Sequence, residues 1–247
     1  MKKLLLFSAF IFCLGDCFAQ KIIERKNKLI NNVTERFETT IETNKQVKNG
    51  IYHAFYNKKT VLASGKYVND KKVGIWHYFD RDGTLMQNYN YDNNKLLYEA
   101  PESSPSPLSY NIDYYIKDND VATQPVRPGG RYFGYIPYLK AFTLPPGMND
   151  EDLNRYLITY DLLISPLGRL ADITVHISRK GTGVDQMVYN INTDLFSDDD
   201  KTFIPATFNK NPVASQIHLL CALDLTGDID ILYLIPKKQM QTKRASS

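Results

Sequence analysis

An internal repeat constrains this chain most: sliding the sequence by 24 residues lays Gly50-Ile51-Tyr52-His53-Ala54-Phe55 on Gly74-Ile75-Trp76-His77-Tyr78-Phe79. Without a gap, Thr60 then falls on Thr84, Val61 on Leu85, Leu62 on Met86 and Tyr67 on Tyr91. Four identities in six positions mark a duplicated unit. Each copy opens at a glycine, runs as a strand, turns near Asn57-Lys58-Lys59 or Asp80-Arg81-Asp82-Gly83, and returns as a second strand ending in tyrosine. A lone hairpin is marginal in water, so the copies are expected to stack and bury a shared aromatic face.

Gly74-Ile75-Trp76-His77-Tyr78-Phe79 followed by Asp82-Gly83-Thr84-Leu85 resembles the MORN-type repeat, in the variant found in bacterial envelope proteins and YwqK-like antitoxin proteins. The first copy departs from it, with Tyr52 in place of Trp and Lys58-Lys59 in place of the Asp-Gly turn. A degenerate third unit runs through Leu96, Leu97 and Tyr98. The resemblance implies a β-hairpin repeat module over residues 45–100 and says little about activity.

The second half is patterned differently. Tyr156, Ile158, Tyr160, Leu162 and Ile164 alternate along one strand, and Ala171, Ile173, Val175 and Ile177 along the next, with Ser165-Pro166-Leu167-Gly168 as the turn between them. Val184, Val188, Ile191 and Leu195 recur at helical spacing, with Asp185 suited to a first turn, which predicts an amphipathic helix. Phe203-Ile204-Pro205-Ala206 leads to a turn at Asn209-Lys210-Asn211-Pro212 and a strand through Ile217, Leu219, Cys221 and Leu223. A further alternating strand, Ile229, Ile231, Tyr233 and Ile235, follows Thr226-Gly227-Asp228.

The order strand, strand, helix, strand, punctuated by Leu144-Pro145-Pro146, Gly168, Val184-Asp185, Phe203-Ile204-Pro205-Ala206 and Asn209-Lys210-Asn211-Pro212-Val213, resembles the C-terminal domain of the TonB family. The resemblance covers about 85 residues, from Leu144 to Leu225 and a little either side. It implies a periplasmic domain that binds an extended segment of an outer-membrane transporter by strand addition. The chain departs from that family in having no long Pro-rich spacer and an N-terminal segment that reads as cleavable. Its final alternating strand would cover the edge a peptide uses.

The expected fold class is α+β: an N-terminal MORN-like hairpin module and a C-terminal antiparallel sheet covered by one helix. The expected boundaries are a signal peptide over 1–19, an N-terminal segment over 20–44, the repeat module over 45–100, a Pro/Ser/Gly-rich linker over 101–130, the TonB-like domain over 131–236 and a basic tail over 237–247. Lys2 and Lys3 precede an apolar run from Leu4 to Leu14 that ends before Cys-Phe-Ala-Gln, so cleavage is expected after Ala19 and the destination is the periplasm or the exterior. Asp16 interrupts the run too early for a spanning helix.

Cleavage removes two lysines and one aspartate, taking the formal charge from +3 to +2, which favours no polyanion, so no nucleic-acid partner is expected. It also removes Cys13 and Cys17, leaving Cys221 alone in an apolar strand as a small buried hydrophobe. No metalloprotease, nucleophile-elbow, phosphate-loop or zinc motif appears, so no enzyme activity, cofactor or metal is expected. His53 and His77 occupy equivalent repeat positions, and packing explains them better than a two-imidazole metal site. His176 and His218 read as solvated strand histidines, and Asp198-Asp199-Asp200 as a solvated acidic turn. The aromatic residues invite a carbohydrate-binding reading, against which sheet packing is preferred.

The expected activity is binding of a protein or peptide. Ile217 and Leu219, or Ile229, Ile231 and Tyr233, would form an offered strand edge. The alternatives are an immunity or antitoxin-like protein whose repeat face at Tyr52, Trp76 and Tyr78 occludes a toxin, and a structural envelope scaffold.

Overall fold

Asn and other short polar residues with left-handed backbone close the hairpins of the first half. Thr43-Asn44 and Asn69-Asp70 are two-residue turns and Asn57-Lys58 open a three-residue one, all with both φ positive, the geometry that matches strand twist. The computed structural model describes residues 22–234 apart from 103, 146–147, 149–154, 183 and 224–226. The expected signal peptide and the basic tail lie outside the described residues.

Strands β1 (Ile23–Ile30), β2 (Val33–Glu42), β3 (Lys45–Tyr56), β4 (Thr60–Val68), β5 (Lys71–Phe79), β6 (Leu85–Asn90) and β7 (Lys95–Glu99) form one antiparallel meander in sequence order. The repeat copies begin in β3 and β5, and the sheet extends beyond them through β1 and β2. Its inner face is aromatic. Trp76 is fully buried among Tyr52, Tyr67, Tyr78 and Tyr91. Gly65 makes this possible, because a Cβ there would stand 2.2 Å from the indole. The indole N–H donates to the Lys66 carbonyl at 3.2 Å, so burial leaves no orphan donor.

The second sheet runs β12 (Asp185–Asn190), β11 (Leu170–Arg179), β10 (Tyr156–Ile164), β15 (Ser215–Leu223) and β16 (Ile229–Ile231), and β8 (Leu108–Ile112) also pairs with β15. Ile158, Leu162, Ile173, Ile177, Ile217 and Leu219 give it an aliphatic core. A small sheet, β14 (Asn211–Val213), β13 (Ala206–Phe208) and β9 (Ala122–Thr123), completes the β structure. Among the described residues the only α-helix is α1 (Ile136–Lys140). The fold is thus mostly antiparallel sheet with one short helix.

Two expectations are corrected. The helix predicted from Val184 to Leu195 is strand β12 followed by a short 3-10 turn, Thr193–Leu195. Its helical spacing arises because a half-exposed strand and a turn succeed one another: Ile191 is buried, while Val184, Val188 and Leu195 are exposed. The stretch 101–130, expected as a linker although its prolines and glycines equally allow an irregular crossover, is a crossover that carries β8 and β9 and ends in buried residues. Its glycines act as donors to the core: the Gly129 and Gly130 N–H groups donate to the buried Gln87 side-chain oxygen at 2.8 and 3.1 Å.

Residues 127–142 lie between the two large sheets. Phe133 stacks on Tyr78 of the first, and Phe142 meets Tyr160 of the second edge-on. Arg127, 5% exposed, fastens this segment to the acidic turn. It donates to the carbonyls of Asp199 (2.7 Å), Thr202 (2.8 Å) and Gly134 (3.3 Å) and pairs with the Asp200 carboxylate at 3.1 Å. One contiguous core therefore includes residues of both halves.

Candidate binding surfaces

The strand alternation that buries the repeat also decides which expected contact residues are accessible. Tyr52, Trp76 and Tyr78 point into the core at 2%, 0% and 0% exposure, so they present no surface to a toxin in the folded chain. Ile217, Leu219 and Ile231 are buried as well, and Ile229 is half-buried. Strand β15 is not an edge. Strand β10 pairs along one side, and β8 (against Ser215–Leu219) and β16 (against Cys221–Leu223) share the other. Only Tyr233, 47% exposed, reaches solvent, where its ring lies 4.5 Å from the Arg81 guanidinium with Tyr132 also against that cation. Cys221 is fully buried and burial pushes its thiol pKa well up, which holds it as the inert thiol.

His53 and His77 do not meet, because Ser64 of β4 stands between them in register. His77 Nδ1 instead contacts the Asn88 side-chain oxygen at 2.7 Å. Among the described residues no group of three or more His, Cys, Asp or Glu is arranged to hold a metal ion. The acidic run binds protein cations: Asp198 pairs with Arg169, Asp199 with Lys72 and Asp200 with Arg127.

The sheet edges differ in how they are guarded. Strand β1 carries Glu24, Arg25, Lys26 and Lys28; β14 contains Pro212; and β7 is five residues long with Lys95 and Glu99 at its ends. These are the usual defences of an edge. Strand β12, Asp-Gln-Met-Val-Tyr-Asn, has no Lys, Arg, Pro or Gly and pairs only with β11 among the described strands. The Ile191 N–H donates to the Ile173 carbonyl at 2.9 Å, so by antiparallel alternation the N–H groups of Asn190 and Val188 face the open side. Val188, 54% exposed, lies on the outer face, while Met187 and Tyr189 pack inward.

Beside Val188 the outer face of the second sheet is polar. Asn190, Thr174, Asp161, His218 and Ser109 form one row across β12, β11, β10, β15 and β8. Asp161 sits between two imidazoles, 2.6 Å from His218 Nδ1 and 3.4 Å from His176 Nε2. The carboxylate fixes both rings and directs His218 Nε2 outward. Strand parity carried the signal for this cluster, since Asp161, His176 and His218 all fall opposite the apolar rows.

At one end of the first sheet the repeat builds a second feature. The Lys48 ammonium lies 4.3 Å from the Phe37 ring centre, 5.3 Å from Tyr52 and 5.2 Å from Tyr67. One repeat on, the Lys72 ammonium lies 5.4 Å from Trp76 and 5.1 Å from Tyr91. Burial works against the Lys72 charge, but the Tyr91, Tyr67 and Asp199 oxygens more than offset it, so its pKa is raised. Burial likewise raises the phenol of Tyr67. Lys48, Tyr67, Lys72 and Tyr91 border an open cleft of about 590 Å³ whose lining also includes Ser197, Asp199 and Asp200.

No protein-family model, no curated protein and no solved structure matches this chain.

Proposed function

We propose that this chain is a non-catalytic binding protein of the bacterial envelope that takes an extended peptide by strand addition at β12. The observation that carries this reading is the open side of β12, with the Val188 and Asn190 N–H groups directed outward, no Lys, Arg or Pro along the strand, and Asp185 at its start as its single charge. Main-chain bonds to those groups supply affinity, and alternate side chains of the peptide meet Gln186, Val188 and Asn190 on one face. The signal-like N-terminus suits a periplasmic or secreted setting, and the resemblance of residues 144–225 to TonB C-terminal domains makes an outer-membrane transporter segment the first partner to try.

The test is a selection of displayed random peptides on the full chain, followed by affinity measurement on Val188→Pro. Proline at 188 removes an outward donor and leaves the β11 ladder bonds in place. The reading expects β-forming peptides whose affinity falls about tenfold or more on that substitution. Peptides that bind Val188→Pro and the parent equally would overturn it.

A further inference from the structure

Along β3 and β5 the residues that point away from the core are identical between the two repeat copies: Ile51 and Ile75, His53 and His77, Phe55 and Phe79. The buried residues between them differ, Tyr52 against Trp76 and Ala54 against Tyr78. Exchanges at exposed positions usually cost a fold little, so identity on that side points to something the outer face meets.

That face is one registered surface. A single row crosses all seven strands, from Lys26 on β1 through His53, Ser64 and His77 to Tyr98 on β7. Ile51 and Ile75 are 54% and 47% exposed at its centre, with Phe55 and Phe79 half-buried beside them. Between the two triplets β4 presents Ser64 and one charge, Lys66, while Glu24, Lys26, Arg36 and Lys95 stand on the flanking strands. An apolar centre with a charged rim is the anatomy of a protein interface.

The duplication also makes the face complementary to itself. Because β4 lies between β3 and β5, a two-fold axis along β4 sets β3 of one copy against β5 of another. Ile51 then meets Ile75, His53 meets His77 and Phe55 meets Phe79, each pair formed twice, as an isologous interface requires. A neutral imidazole donates through one nitrogen and accepts through the other, so facing histidines can bond. Three outward rows on seven strands measure about 29 Å by about 20 Å, so two copies cover about 1,200 Å² in projection, where specific interfaces begin.

We propose that the outer face of the first sheet pairs with a second copy of this chain in a two-fold, sheet-on-sheet dimer centred on Ser64. The interface is separate from β12 and stands or falls independently of strand addition.

Sedimentation equilibrium of the full chain from about 1 to 200 μM is expected to show a monomer–dimer equilibrium with a Kd of about 20 μM or tighter. Ile51→Asp with Ile75→Asp is expected to weaken it about 100-fold or more, and the milder Ile75→Thr about 3- to 10-fold, with circular dichroism and Trp76 emission unchanged. Lys66→Ser is expected to tighten it about threefold or more, because the axis along β4 brings the two Lys66 ammonium groups together. Val188→Pro is expected to leave it unchanged. A chain that stays monomeric up to about 200 μM, as it would if the face served a different protein or a lipid surface, overturns the proposal. So does a dimer indifferent to the isoleucine substitutions, one weakened by Lys66→Ser, or one lost on Val188→Pro.

Discussion

The two large sheets solve the same problem with different residues. The first buries rings and lysine stems, with Trp76, Tyr78 and Tyr52 at its centre and Lys48 and Lys72 capping the ring faces. The second buries branched aliphatics, Ile158, Leu162, Ile173 and Ile217, in strict alternation. Aromatic packing leaves polar tips that need partners, which explains why hydrogen bonds such as Tyr78–Tyr91 (2.8 Å) lie inside the first sheet. Aliphatic packing needs none, although Tyr160 and Ser215 bury hydroxyls there without a hydrogen-bond partner, and the polar row around Asp161 lies on the outer face. One region uses its polarity for cohesion; the other leaves it on the surface.

Alkali gives the largest expected effect on this contrast. Burial raises the Tyr138 phenol, against the opposing pull of Arg127, from its ordinary 10.0 to about 12. The folded state therefore holds that proton more tightly than the unfolded state. Its contribution is complete below about pH 10 and is lost as pH rises toward 12. Tyr52, Tyr78 and Tyr135 are raised well above the ordinary value by the same cause, so the losses accumulate. Circular dichroism and the absorbance of the buried tyrosines, read apart from that of exposed rings such as Tyr114 and Tyr115, should change together above pH 10; ionisation of the buried rings without loss of structure would break the account.

Arg127→Ala comes next, at about 3–5 kcal/mol, because it strands Asp200 and three carbonyls around a buried cation site. Guanidinium denaturation should still show one transition, since both sheets join one core; two separated transitions would mean that the sheets fold apart. Gly65→Ala is smaller, about 1–3 kcal/mol, from forcing Trp76 off the backbone it covers. The change should shift Trp76 emission, and an unaltered spectrum and midpoint would contradict the indole–glycine contact. Asp161→Asn is smallest, below about 1 kcal/mol, because the His–Asp–His group is partly exposed. A larger loss in urea would show that the outer row helps to hold the sheet.

The same contrast governs what could be read from the sequence. The repeat is visible because each hairpin reuses its packing residues, and the β10–β11 hairpin is visible because its alternation is strict. Neither pattern says whether an aromatic face meets a partner or its own chain, so Tyr52 and Tyr78 read as contact residues although Phe133 of the segment 127–142 packs on both. Strand β12 was hidden because Val188 of the strand, buried Ile191 beyond it and Leu195 of the following turn together fall at helical spacing. Prolines and glycines between 101 and 130 allow a linker or an irregular crossover, and the stretch is a crossover, largely exposed, whose buried end at Gly129 and Gly130 gives its amides to Gln87. The cleft was within reach: the offset that matches Tyr67 with Tyr91 also matches Lys48 with Lys72.

The central claim is that β12 offers an open edge, and residue-resolved amide hydrogen exchange tests it most directly. In the free chain Val188 and Asn190 should exchange rapidly while Tyr189 and Ile191 stay protected, and a selected peptide should slow Val188 and Asn190 about tenfold or more. Protection of Val188 and Asn190 in the free chain, or no change when the peptide is bound, would contradict it.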